Sequence, residues 1–126
     1  MAFKVFISHS GQDPRWAEAF AASLKRGGAD AWLDRVSLQP GDGFERELER
    51  ALRDSDLFVA LVGPENVDSP DLNFELGAAL GMGKRVVGVV PHDFDESRVP
   101  QPLLRRQYLM KDSPEQTAER LLAGAA

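Results

Sequence analysis

The chain has 126 residues, a net charge of −5 and no cysteine. That length suits one domain with a single core, and the missing thiols exclude disulfides, thiolate metal sites and cysteine nucleophiles. A composition of 43% hydrophobic and 28% charged residues is ordinary for a globular protein, and no cluster of Lys and Arg marks it for nucleic acid or an acidic membrane. The two histidines, His9 and His92, are too few for a histidine metal cluster. The opening MAFKVFISHS lacks the apolar core of a signal peptide, and no run approaches the roughly 20 apolar residues of a membrane span. The expectation is one cytoplasmic domain over residues 1–126, without metal and with its last few residues frayed.

In chain order, Phe3 to Ser8 (FKVFIS) is a nearly continuous apolar run, as for a buried parallel strand. Asp13 then caps a helix with Pro14 at its first position, where a missing N–H costs nothing. Trp16, Phe20 and Leu24 repeat along its core face, and Gly27 and Gly28 end it. Ala31 to Leu33 make a second strand. The polar stretch from Asp34 to Gly43 (DRVSLQPGDG) is long for a strand-to-helix connection, which makes it a functional candidate. Asp42 and Glu45 form a capping-box pattern, and Phe44, Leu48, Ala51 and Leu52 form the next helical stripe. Leu57 to Val62 (LFVALV) is the third strand, and residues 63–68 form a loop.

Ser69 and Pro70 open the next helix, Leu72, Leu76, Ala79 and Leu80 share one face, and Gly81 and Gly83 close it. Glu75 lies about 60° off the centre of that stripe, within the first two turns. It is expected to sit between core and water, with the helix N-terminus favouring its ionised form. Phe74 points away from the stripe. Arg85 to Val90 (RVVGVV) is the fourth strand, Pro91 to Pro102 a loop, and Gln107 to Met110 a weak fifth strand. Ser113, Pro114 and Gln116 signal a last helix that turns Leu121 and Leu122 inward.

Strands alternating with helices imply right-handed crossovers and a parallel sheet. The expected fold is α/β, a flavodoxin-like three-layer sandwich. Its five-stranded parallel sheet has the order 2-1-3-4-5 with helices on both faces. Ligands in such sheets sit beyond the carboxyl ends of the strands, at the switch between strands 1 and 3. Ser8, His9, Ser10, the loops after Leu33 and Val62, and Glu75 all fall at that edge. Several common chemistries fail on residue content. A phosphorelay receiver needs acidic residues where this chain has Ser8-His9 and Val62-Gly63. A P-loop needs GxxxxGK[ST], and GMGK at 81–84 is too short and ends a helix. No GxGxxG follows the first strand.

Four segments carry a resemblance: KVFISHS at 4–10 with Asp13 following, WLD at 32–34, SLQPGD at 37–42, and FEL at 74–76. In that order they resemble the Toll/interleukin-1 receptor (TIR) domain family of bacterial type. The family implies one of two roles, cleavage of the nicotinamide–ribose bond of NAD or assembly with other TIR domains in signalling. On the first, the chain is a NAD glycohydrolase that releases nicotinamide and ADP-ribose or a cyclic isomer. NAD is then substrate, and no separate cofactor is implied. Glu75 matches the family's catalytic Glu, and the substrate pocket would come from Ser8, His9, Ser10, Asp34, Arg35, Leu38 and Phe44. Asp71 stands where the family often has a Trp, so an aromatic wall is absent there. On the second role, the chain is a non-catalytic interaction module, and the loop at 37–42 serves contacts between domains. The partners implied are NAD and other TIR domains or a second copy, with neither nucleic acid nor membrane. The stretch FELGAALGMGK also resembles nucleoside deoxyribosyltransferases, which would again put Glu75 at the centre of an N-glycosidic reaction.

Overall fold

The computed structural model describes residues 3–34, 44–104 and 108–125. Five strands form one parallel sheet: β1 (Lys4–Ser8), β2 (Asp30–Leu33), β3 (Leu57–Leu61), β4 (Arg85–Val90) and β5 (Tyr108–Met110). Their spatial order is β2-β1-β3-β4-β5. The helices are α1 (Pro14–Arg26), α2 (Phe44–Asp54), α3 (Pro70–Gly81), α4 (Gln101–Leu104) and α5 (Pro114–Ala125).

The period-two alternation of side chains along each strand splits the core into two layers. On one face Val5, Ile7, Leu57, Val59, Leu61 and Val89 pack against Ala17, Phe20 and Leu24 of α1 and Ala118 and Leu121 of α5. On the other, Phe6, Phe58, Ala60, Val86 and Val90 meet Leu48 and Leu52 of α2, Leu72, Leu76 and Ala79 of α3, and Leu103 of α4. This makes the three-layer sandwich expected from the pattern. Phe6, Phe20 and Phe58 are wholly buried. Burial of one such side chain contributes about 1.5–3 kcal/mol. Phe6 stacks between Trp32 and Phe58, with ring centroids 4.8 and 5.5 Å away. Trp32 thereby closes the β2 edge of the core. Trp16 is half-buried rather than central: it stacks on Phe20 at 5.1 Å, and its indole N–H donates to the Asp112 carbonyl at 3.1 Å.

The local signals set the helix ends. The Asp13 carboxylate accepts from the Arg15 N–H at 2.9 Å, and the Ser69 hydroxyl from those of Asp71 and Leu72, each cap followed by a proline. Past the C-termini of α1 and α3, Gly28 (φ +96°) and Gly83 (φ +71°) take the left-handed conformation that a Cβ disfavours.

Three details depart from the sequence reading. Residues 91–102 are not simply a loop. They hold a 3-10 turn (Glu96–Arg98) capped by Asp95, and α4 begins at Gln101. The Pro100 carbonyl accepts from the N–H groups of Leu103 and Leu104, so a short helix forms where no periodicity announces it. Leu80 is half-buried, and Glu75 replaces it on the covered face of α3. Val62 lies just past β3, although its N–H still donates to the Val89 carbonyl at 2.9 Å. α5 runs from Pro114 to Ala125. Among the described residues no helix is long and apolar enough to cross a membrane.

Candidate active site

Three elements converge at the carboxyl ends of β1 and β2. β1 ends in Ser8, whose side chain is fully buried. β2 is followed by Asp34, whose N–H donates to the Ile7 carbonyl at 3.1 Å and holds its backbone beside the end of β1. α3 crosses over the same edge and turns Glu75 inward. Glu75 is 4% exposed and Asp34 3%.

The contacts form a chain. The Ser8 hydroxyl donates to Glu75 Oε1 at 2.6 Å, between residues 67 apart in sequence. The Asp34 carboxyl lies near enough to Glu75 to act on its ionisation. Asp34 Oδ1 accepts from the His9 backbone N–H at 2.9 Å. The His9 ring places Nδ1 against that same oxygen at ion-pair proximity, without the geometry of a hydrogen bond.

Burial and the neighbouring acid fix the charge state, and they reverse the expectation that the start of α3 would keep Glu75 ionised. The Glu75 carboxyl is pushed up from 4.5 to about 9. Desolvation is the largest cause, followed by the hydrogen bond to Asp34 and the Asp34 charge. Asp71 adds a smaller push in the same direction, and only the Ser8 hydroxyl pulls the other way. The dipole at a helix N-terminus is worth about 0.3–1 kcal/mol. That is less than the cost of holding two adjacent carboxylates ionised away from water. At neutral pH Glu75 is therefore the neutral acid.

The remaining site candidates divide. Ser10 is buried, but it does not join this chain of contacts. Its carbonyl accepts from Asn66 Nδ2 at 2.7 Å. Asp71 is exposed on the first turn of α3 and reaches Glu75 only through its charge. Arg35, Leu38 and the loop at 37–42 lie outside the described residues, as does Asp42 of the capping-box pattern. Phe44 is described only as the first residue of α2.

One residue the sequence reading passed over organises the neighbouring loop. Asn66 is 1% exposed. Its Nδ2 donates to the carbonyls of Ser10 and Leu61, each at 2.7 Å, and its Oδ1 accepts from the Gly63 N–H at 2.9 Å. It ties the loop after β3 to the loop after β1, and so braces the backbone beyond Ser8. The available signal was an Asn in a Gly-Pro-Glu-Asn turn just after a buried strand.

The chemistry open to this site is that of a single acidic unit. A cleft of about 470 Å³ elsewhere, between α2 and the β2 edge, is lined by Lys4, Asp30, Trp32, Arg50 and Asp54. Lys4 and Asp30 begin their strands, so this cleft lies toward the opposite end of the sheet from Ser8 and Asp34. Its walls mix both signs of charge and hold none of the Glu75 cluster.

The model of the TIR domain family matches residues 5–122. The chain belongs to the TIR domain family. Two relatives of this TIR domain carry functional names. A protein of Paracoccus denitrificans named NAD(+) hydrolase PdTIR is 40% identical over 52 residues, 40% of this chain and 17% of its own length. A protein of Brachypodium distachyon named probable 2' cyclic ADP-D-ribose synthase BdTIR is 29% identical over 89 residues, 69% of this chain and 40% of its own. The chain thus spans less than half the length of the curated relatives it matches. Among solved structures, the Clostridium botulinum CMP N-glycosidase BcmB superposes with a TM-score of 0.70 at 22% identity, over 95% of this chain and 98% of that one. At that identity the likeness is one of fold.

Proposed function

We propose that this TIR domain cleaves the nicotinamide–ribose bond of NAD, releasing nicotinamide and ADP-ribose or a cyclic isomer, with Glu75 as the catalytic residue. The observation that carries the reading is the buried Glu75 carboxyl, held by Ser8 and Asp34 where β1 and β2 end. The two relatives named for NAD hydrolysis and cyclic ADP-ribose synthesis support the choice of substrate.

The chemistry suits one acidic unit. The nicotinamide of NAD is a cationic pyridinium and departs neutral, so the reaction needs no general acid at the leaving group. Positive charge moves onto the ribose as the bond lengthens, and a fixed carboxylate in a dry site stabilises it. Glu75 has to be ionised at that moment, and the cationic substrate favours its ionisation. Ser8 orients the carboxylate through Oε1, and His9 steadies Asp34 through its N–H. NAD enters as substrate, and the reaction draws on no further cofactor.

A second reading has the domain assemble with other TIR domains and consume no NAD. One feature favours it. Phe74 is 60% exposed beside Met82, over a largely apolar groove of about 320 Å³ between α2 and α3. Nicotinamide release at high protein concentration, with and without Glu75→Gln, separates the two readings. Release that disappears in the variant supports the hydrolase. Assembly without release, from folded protein, supports the module.

A further inference from the structure

β1 delivers two consecutive residues to the ligand edge, and each engages a different acid. Ser8 donates to Glu75 Oε1 at 2.6 Å. His9 belongs to Asp34: Oδ1 of that carboxyl accepts from the His9 backbone N–H at 2.9 Å and also lies against Nδ1 of the ring. The Asp34 side chain is 2% exposed and the His9 side chain 15%. Nδ1 is buried, whereas Nε2 is open and has no partner among the described residues. A ring nitrogen facing a carboxyl oxygen at ion-pair proximity has to carry the hydrogen, because two lone pairs would repel each other. The neutral ring then keeps its lone pair on Nε2, the nitrogen that reaches the opening. We infer that His9 is the general base of the capture step: Asp34 fixes the ring through Nδ1, and Nε2 takes a proton from the water or hydroxyl that attacks the ribose.

This inference rests on the NAD reading and deepens it. As the nicotinamide–ribose bond breaks, its electron pair leaves with the nicotinamide nitrogen, and the Glu75 carboxylate stabilises the cationic ribose left behind. Capture then forms a C–O bond with a lone pair of water, or of the hydroxyl that closes a cyclic isomer. Either nucleophile has to lose a proton, which passes to Nε2 and from the imidazolium to solvent. Nicotinamide can also return to the same cation. Its ring nitrogen attacks with a lone pair and has no proton to lose, so that reverse step needs no base. His9 therefore decides how often a cleaved NAD goes on to product instead of re-forming. General bases contribute about 100- to 10,000-fold where the proton moves in the transition state. The carboxylate and the base come from separate elements, α3 and the end of β1, and the Ser8–Glu75 hydrogen bond joins those elements at the residue next to His9.

The test measures two rates on the intact chain, incorporation of labelled nicotinamide into NAD and formation of ADP-ribose plus its cyclic isomer. His9→Asn keeps a short donor that reaches toward Asp34 and lacks Nε2. It should lower product formation far more than exchange, so that the ratio of exchange to product rises about tenfold or more. In His9→Gly, free imidazole should restore product formation several-fold and leave exchange where it was. A residue that only holds the loop would lower both rates in step and would not respond to imidazole. An unchanged ratio in His9→Asn, or no response to imidazole in folded His9→Gly, would overturn the inference. If the folded parent neither exchanges nor forms product, the NAD reading and the role of His9 fall together. If the parent does both, Glu75→Gln does neither and the ratio in the His9 variants equals that of the parent, the NAD reading stands and the role of His9 is refuted.

Discussion

Glu75 carries two opposing demands. Its burial and the Asp34 carboxyl favour the neutral acid, while the proposed reaction uses the carboxylate. The conflict has a stability signature whose sign follows from the shift. An unfolded chain releases the Glu75 proton near 4.5, and the folded protein keeps it to about 9. Between those values the folded state holds a proton that the unfolded state has lost. Rising pH therefore favours unfolding, by up to about 1.4 kcal/mol per pH unit. Below 4.5 this contribution is fully present, and it is gone above about 9. Glu75→Gln keeps the shape and removes the titration. Urea unfolding at pH 5, 7 and 8.5 should show the variant gaining on the parent as pH rises. Parallel stability profiles for the two proteins would mean that Glu75 ionises freely in the folded state. The position of Glu75 at the ligand edge was legible in the sequence, because caps and helical spacing place it two turns into α3. Its charge state was not. Asp34 is 41 positions earlier, and only the β1–β2 pairing brings it to the same point.

At the scale of elements, the site depends on how two loops are braced. The Asn66 side chain satisfies the Gly63 N–H and the carbonyls of Leu61 and Ser10 inside the protein. Asn66→Ala leaves those groups without their partner, and each buried polar group so stranded costs about 1–3 kcal/mol before relaxation and water recover part of it. A net loss of about 2–4 kcal/mol is expected in chemical denaturation, together with lower activity, because the backbone beyond Ser8 loses its brace. A loss below 0.5 kcal/mol would show that the loops hold without it. Ser69→Ala is the milder control. It removes the cap that accepts from Asp71 and Leu72 and should cost about 1 kcal/mol, with helix α3 otherwise in place. The elements themselves were readable where caps, prolines and glycines punctuate them, as at Asp13-Pro14 and Ser69-Pro70. They were not readable at α4, whose four residues are too few to show a period. The Asn66 brace was hidden for a related reason. A single polar residue in a turn gives no sign of which carbonyls it will reach.

At the scale of the molecule, the apolar runs of β1, β3 and β4 predicted a sheet covered on both faces, and the two core layers are those runs divided by their alternation. What the sequence could not weigh is the exposed Phe74. It was seen to leave the stripe of α3, but its place beside Met82 over Leu48 and Leu52 depends on how α2 packs beside α3. If that surface serves assembly, Phe74→Ser should leave the unfolding midpoint within about 0.5 kcal/mol of the parent, since the side chain is mostly in water. The same change should flatten any dependence of specific activity on protein concentration. A concentration dependence that survives the substitution would assign assembly to another face. The central claim, that Glu75 cleaves NAD, is tested most directly by nicotinamide release from NAD at high protein concentration, for the parent and for Glu75→Gln. The account predicts release by the parent and a fall of at least about 100-fold in the variant, in line with losing a main electrostatic contributor to a transition state. Equal release by both proteins, or none from a folded parent, would contradict it.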